Sequence, residues 1–355
     1  MYPSVKSKLS FVLLSEQGRR ALAETVAPRV HLADGHFRKS PKLLHVALIH
    51  ACMRRSFLIL ALATVAYAGI VEDVRGLLSS GSLSQAEAHL KSYRVQKGAT
   101  PEYLEAYSWL ARTALSAGSL DRAEKTARQT EQLSLLQLKA RKLDAEQHLP
   151  IALGAAIEVE AQVLAARGQR AEAVVLLERK LRIYRDTSIR ARLQKNLNLL
   201  SLEGKPAPRL ELNEHLGPNP APLAKLKGYP MLLFFWAHWC GDCKAEGPIL
   251  ARLKSEYGGK GLILLAPTKR YGYAARGEDA TPSAELSYIE QVRQEYYRPL
   301  LDVPAPVSQE NFNQYGASTT PTLVLVDRAG KVSFYHPGFL PYEQLKAAID
   351  QTLAR

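Results

Sequence analysis

The stretch Met231-Leu-Leu-Phe-Phe-Trp-Ala-His-Trp-Cys240-Gly-Asp-Cys243-Lys-Ala-Glu246-Gly-Pro248 delivers two cysteines, two residues apart, directly after an unbroken apolar run. Residues 231–236 have the length and continuous apolarity of a strand buried on both faces of a mostly parallel sheet. Cys240 then falls at the N-terminus of the next helix. Unpaired backbone N–H groups and the positive end of the helix dipole favour an anionic sulfur there, so its thiol is expected to ionise more readily than that of a free cysteine. The thiolate is the species that attacks disulfides.

Two other readings compete with redox exchange. A zinc site needs two more ligands, but the chain has no second CxxC, its remaining histidines lack HxxxH-type spacing, and only His238 lies close by. A purely structural bridge would close too short a loop to remove much entropy from the unfolded chain. Redox chemistry is favoured over both.

The segment Phe235 to Pro248 resembles the active-site segment of thioredoxin-like proteins, and more narrowly that of the TlpA/ResA group of extracytoplasmic thiol-disulfide oxidoreductases. Lys205-Pro-Ala-Pro208 resembles the entry before that group's first strand, Thr320-Pro321-Thr322 resembles its cis-proline loop, and Glu246 stands where the group carries a glutamate. The resemblance covers 204–355 and implies an α/β thioredoxin fold. It further implies that Cys240 attacks a substrate disulfide, that Cys243 resolves the mixed disulfide, and that Trp239, Thr320 and Pro321 contact the substrate. The bond before Pro321 is expected to be cis, leaving the Thr320 backbone free to pair with a substrate strand. Such exchange needs neither metal nor organic cofactor, only an external electron-donor protein and protein disulfide substrates.

Cys243 must lose a proton to resolve the intermediate, and its deeper place in the helix should hinder that. Thioredoxins keep a buried aspartate six residues before the first cysteine, but here that position is Phe234. Glu246, one turn beyond Cys243 on the same helix face, is the expected proton acceptor, in a partly buried setting that raises its pKa. Asp242, between the cysteines, should disfavour the Cys240 thiolate and tilt the pair towards reducing its substrates. His238 and Lys244 oppose it, but both are expected to be exposed and screened.

The chain has 355 residues and suits two domains. Residues 1–68 hold ten Lys and Arg against three Asp and Glu, so they carry +7 of the formal net charge of +13. No basic stripe with interleaved aromatics follows, which argues against nucleic acid as a partner. Met53-Arg54-Arg55, an apolar run from Ser56 to Ala66 and the small residues up to Ala68 read as a secretory signal peptide over 53–68. A buried core helix is the competing reading. A signal works from a chain start, so Met53 is the expected start, 1–52 a mis-called and disordered upstream extension, and the product periplasmic or otherwise extracytoplasmic. Cutting after Ala68 would also remove Cys52 and leave only Cys240 and Cys243.

Residues 69–203 read as helical, with Pro101 and Pro150 at helix starts. Gly81-x4-Ala86, Gly118-x4-Ala123 and Gly168-x4-Ala173 resemble the turn and second helix of tetratricopeptide repeats, with the glycine ending one helix and the alanine letting the next pack close. Trp109 and Tyr107 are assigned to the core. Stacked helix pairs suit binding of protein or peptide clients, or a spacer and dimerisation role. In 204–355 the expected elements are a helix from Cys240 to Tyr257 broken or kinked by Pro248, a strand over 261–266, an insertion over 269–299 with a helix from Pro282, a short helix near Phe312, a hairpin over 323–335 and a closing helix from Tyr342. The insertion either shapes access to the CxxC or is a tolerated surface loop. Against the oxidoreductase reading stand a non-catalytic scaffold that binds clients through its repeats, and a thiol peroxidase, which would want a Thr or Ser and an Arg around the cysteine.

Overall fold

The computed structural model describes residues 69–221 and 226–355. The signal segment and the upstream extension expected over 1–68 lie outside the described residues. Seven helices come first: α1 (Ile70–Ser79), α2 (Leu83–Lys97), α3 (Pro101–Ser116), α4 (Leu120–Gln137), α5 (His148–Ala166), α6 (Arg170–Ile183) and α7 (Arg190–Ser201). Each of the three expected glycines ends a helix with a left-handed φ, +78° at Gly81, +73° at Gly118 and +83° at Gly168. The residue after each glycine donates its N–H to the carbonyl five residues back: Ser82 to Leu77 at 2.8 Å, Ser119 to Ala114 at 2.8 Å and Gln169 to Leu164 at 2.9 Å. That pattern satisfies otherwise orphaned helix-end carbonyls and turns the chain back on itself. Ala86, Ala123 and Ala173 are completely buried, so the second helix of each pair packs through a methyl group.

Helix α3 starts with Pro101 in its first turn, and the Thr100 hydroxyl accepts from Tyr103 N at 3.2 Å, which caps it. Helices α1, α3, α5 and α7 pack in succession, and Leu104, Leu110, Leu149, Leu153, Ile157 and Leu193 join them in one core. Each such fully buried side chain contributes about 1.5 to 3 kcal/mol. Among the described residues α5 alone is long and apolar enough to cross a membrane, and most of its apolar side chains are buried against its neighbours.

The second half is built on a four-stranded sheet of β2 (Met231–Phe235), β3 (Ile263–Leu265), β5 (Thr322–Val326) and β6 (Val332–Pro337), in the order β3-β2-β5-β6. Only β2 and β3 run parallel, while β2–β5 and β5–β6 are antiparallel. The expectation of a mostly parallel sheet is thus corrected. The continuous apolarity of β2 reflects a strand covered on both faces, which either pairing allows. A small separate pair joins β1 (His215–Leu216) to β4 (Ala305–Pro306). Leu232, Phe234, Leu323 and Leu325 face the core under α8 (Gly241–Tyr257), α9 (Pro282–Tyr296) and α11 (Tyr342–Leu353). Leu233, Phe235, Val324 and Val326 face the opposite core, which Phe312 and Tyr315 of α10 (Gln309–Tyr315) fill. Pro248 lies inside an unbroken α8, so the expected break is absent. The ring sits on the exposed side of the helix, where the carbonyl it leaves unpaired can turn to water.

Residues 70–355 form one compact unit, because α7 packs on α10 and β6. Arg190 grips Glu310 with two bonds of 2.9 and 2.7 Å, and Gly204 N donates to Val332 O at 2.8 Å. The tightest approach is at Gly316, at the end of α10. A Cβ there would lie 2.3 Å from Lys195 N and 2.6 Å from Lys195 Cα, and φ is +62°. Gly316→Ala should therefore lower stability by more than about 2 kcal/mol, combining left-handed strain with overlap against the α7 backbone. Gly330→Ala, at φ +75° with open space around it, should cost only the strain, about 1 kcal/mol. Urea denaturation of both variants checks this, and equal losses would dismiss the close approach.

Candidate active site

Strand β2 ends beneath the first turn of α8, and Cys240 is the residue that caps that helix. The Cys243 backbone N–H donates to Cys240 Sγ at 3.0 Å, as an N-cap oxygen would accept in the usual cap. The two cysteines are joined in a disulfide, with Cα atoms 5.2 Å apart. Thr320 O lies 3.3 Å from Cys240 Sγ, and the Thr320–Pro321 peptide is cis. The structure thus brings Cys240, Cys243, Thr320 and Pro321 together. Cys240 is only 3% exposed, whereas Trp239 beside it is 51% exposed and forms the accessible surface at the disulfide.

Glu246 is fully buried rather than partly so. Its Oε2 accepts from Leu340 N at 3.1 Å, while Oε1 has no partner. Burial pushes its carboxyl up to about 8, the Leu340 N–H opposes the shift, and the nearby Asp242 charge adds to it. Gly247 leaves room for Tyr297, whose ring would meet a Cβ there at 3.0 Å and which packs on Trp236 with centroids 5.0 Å apart. The Tyr297 hydroxyl is also buried without a partner, and burial followed by the Glu246 charge raises its pKa.

The insertion packs over the residues before Cys240, and this corrects the expected exposure of His238. That side chain is 1% exposed, ringed by Tyr271, Tyr273 and Tyr288 with centroids 5.5, 5.2 and 5.4 Å away. Burial holds its pKa below the ordinary histidine value, and Glu285, with Oε1 3.5 Å from Nε2, opposes that shift. His238 is thus neutral at neutral pH and supplies no positive charge to offset Asp242. Glu285 is itself buried and accepts from the backbone N–H groups of Tyr271 and Gly272, the latter at 2.9 Å. Tyr271 stands edge-on to Trp239 at 5.6 Å, so the insertion flanks the exposed indole. Lys244, the other expected counter-charge, is partly covered, with Nζ 4.0 Å from the Tyr296 ring centre.

Sequence reasoning missed Glu285 and the tyrosine ring. Glu285 reads as an ordinary acidic residue in the first turn of α9, and only the folding of residues 271–273 back over His238 gives it a role. The density of tyrosines in 271–297 was the one available signal.

A family described as a thioredoxin-like domain matches residues 221–353. The thiol:disulfide interchange protein DsbE of Xylella fastidiosa (strain Temecula1) is 29% identical over 160 residues, covering 43% of this chain and 71% of that protein. The thiol-disulfide oxidoreductase ResA of Bacillus anthracis is 29% identical over 143 residues, covering 40% of this chain and 74% of that protein. Among solved structures, a putative thiol:disulfide interchange protein DsbE from Chlorobium tepidum is 27% identical, with a TM-score of 0.32, covering 42% of this chain and 97% of that one. The C-terminal part of this chain thus matches a thioredoxin-like domain and is similar to the thiol-disulfide oxidoreductases DsbE and ResA.

Proposed function

We propose that this chain is an exported oxidoreductase that reduces disulfides in client proteins, with a tetratricopeptide-like helical domain over 69–203 that binds clients and a redox domain over 204–355. The observation that carries the reading is Cys240 Sγ capping α8, bonded to Cys243 and set against the Thr320 carbonyl at the cis-proline loop. The Cys240 thiolate attacks one sulfur of a client disulfide, a mixed disulfide forms, and the other client sulfur leaves as a thiolate. Cys243 gives its proton to Glu246 and attacks Cys240 Sγ. The Cys240–Cys243 bond forms, the second client sulfur leaves, and two electrons have passed to the client. A donor protein outside the chain restores the dithiol. Export rests on the segment 53–68, and the reducing direction on Asp242, which the neutral His238 does not counter.

Glu246 suits the proton step because a carboxyl near 8 populates both protonation states around neutral pH. In a Cys243→Ser variant the mixed disulfide should persist, and clients should be recovered bound to Cys240. Should Cys240 in the reduced native protein resist an alkylating agent, the non-catalytic scaffold is the better reading.

Glu246→Gln should leave attack by Cys240 nearly intact but slow decay of the mixed disulfide on the order of tenfold to a hundredfold. It should also remove the rise in that rate as pH climbs towards 8. Stopped-flow kinetics across neutral pH decides this, and an unchanged decay rate excludes Glu246. A second readout uses the oxidised protein, in which the cysteines do not titrate. A carboxyl raised in the fold stabilises fully below its unfolded value of about 4.3, and that contribution is lost as pH rises through about 8. Denaturation midpoints of Glu246→Gln should therefore gain on wild type between these limits.

A further inference from the structure

We propose that the face of the helical part formed by Arg75, Trp109 and Arg112 docks an acidic segment of the client polypeptide. The inference deepens the client-binding reading above by naming the chemistry of the client. Arg75 on α1 and Arg112 on α3 both lie over the Trp109 indole, with guanidinium carbons 4.7 and 4.4 Å from the ring centre. Neither guanidinium has a carboxylate partner among the described residues, and Trp109 Nε1 has no acceptor. The two carboxylates that act on Arg112 both have other partners. Glu158 on α5 accepts from Arg192 Nε at 2.6 Å and Lys195 Nζ at 2.9 Å, and Glu105 bonds His148 Nδ1 at 2.8 Å. Arg112 thus feels two cations, Arg192 and Arg75, and two carboxylates that are shared with other partners.

This crowding has a physical consequence at Arg112. Burial, with Arg192 next, pulls its pKa down to about 10; Glu158 and Glu105 oppose the shift, and Arg75 adds to it. A guanidinium crowded by like charge and partly stripped of water is the group for which a carboxylate gains most, through paired, charge-assisted bonds. The donors present are two planar forks beside an indole, which fit an Asp or Glu side chain.

The charge balance decides against a polyanion. Residues 69–203 hold 20 Lys and Arg against 16 Asp and Glu, so no extended positive field surrounds the two arginines, as nucleic acid or an anionic membrane would require. The location also suits delivery to the redox site. The row ends on α7, where the Lys195 backbone abuts Gly316. Thr320 follows Gly316 by four residues, a span of at most about 14 Å. The row that carries the two arginines thus ends on the helix packed against the root of the Thr320 loop.

The test uses the full chain from Gly69 with Cys240→Ser, so that binding is read without exchange. Fluorescence anisotropy of a labelled Asp/Glu-rich peptide should show binding about tenfold or more tighter than that of its Asn/Gln counterpart, weakening as salt rises. Arg75→Gln and Arg112→Gln should each lose about tenfold. Arg122→Gln, on the separate Glu87 pair, should lose nothing. Arg75 is exposed, so its variant keeps the test alive if Arg112→Gln fails to fold. In the active protein, an acidic tail on a peptide disulfide should lower KM and leave kcat and the rate on hydroxyethyl disulfide unchanged. Equal binding of the two peptides, or retention of the preference in the Arg75→Gln, Arg112→Gln double variant, overturns the proposal. Tighter binding to phosphatidylglycerol vesicles or to RNA than to the acidic peptide overturns the assigned class. Acidic binding without reduction of any disulfide would uphold the docking face and defeat the oxidoreductase reading.

Discussion

The sulfur of Cys240 sits between a donor and an acceptor, the Cys243 N–H at 3.0 Å and the Thr320 carbonyl at 3.3 Å. The donor favours a thiolate once the disulfide is opened, and the carbonyl disfavours a bare negative charge but accepts a hydrogen bond from a thiol. Each of the two needs a different part of the fold. The N–H is free to point at sulfur because α8 starts at Gly241, which leaves the N–H groups of its first turn without intrahelical partners. The carbonyl belongs to the 316–321 loop, which follows α10 and leads into β5.

Around that sulfur the buried charges are arranged sparingly. Asp242 is exposed in the first turn of α8, where the helix dipole tolerates it, and it also raises the Glu246 carboxyl from one turn away. His238 could have supplied a compensating cation, but burial beneath three tyrosines keeps it neutral. Glu285 holds that arrangement through two backbone N–H groups of the insertion, so one carboxylate fixes the loop that shields the histidine. The electrostatics at Cys240 therefore depend on a segment some thirty to forty-five residues further along the chain.

This separation explains what could be read from the sequence. The apolar run 231–235, the CxxC after it and the Thr-Pro-Thr loop are local signals, and each sits where its chemistry requires. The three Gly-x4-Ala hinges are local too, since a left-handed glycine and a close-packed methyl act within one helix pair. The burial of His238 is not local. A polar residue following a strand looks exposed until residues 271–288 fold over it. The unbroken path of α8 through Pro248 likewise depends on which side of the helix faces water, and residue type alone does not carry that. Sheet direction was misjudged for a related reason, because an apolar strand records that both faces are covered but not which way its neighbours run.

The helical part is also more than an appended module. Arg190, Asn198 and Glu203 bond to α10 or β6, and Leu202 enters the sheet core beside Phe235 and Tyr315. Tyr335, buried on the same side, donates its hydroxyl hydrogen to Tyr315 O at 2.9 Å, which ties β6 to the end of α10 just before Gly316. A flexible tether would let the two parts move independently, whereas these bonds place the α7 backbone directly against the root of the cis-proline loop. The α1–α7 row is thus joined to the root of that loop by packed backbone rather than by a linker, in an interior where close packing leaves little room for one element to move alone.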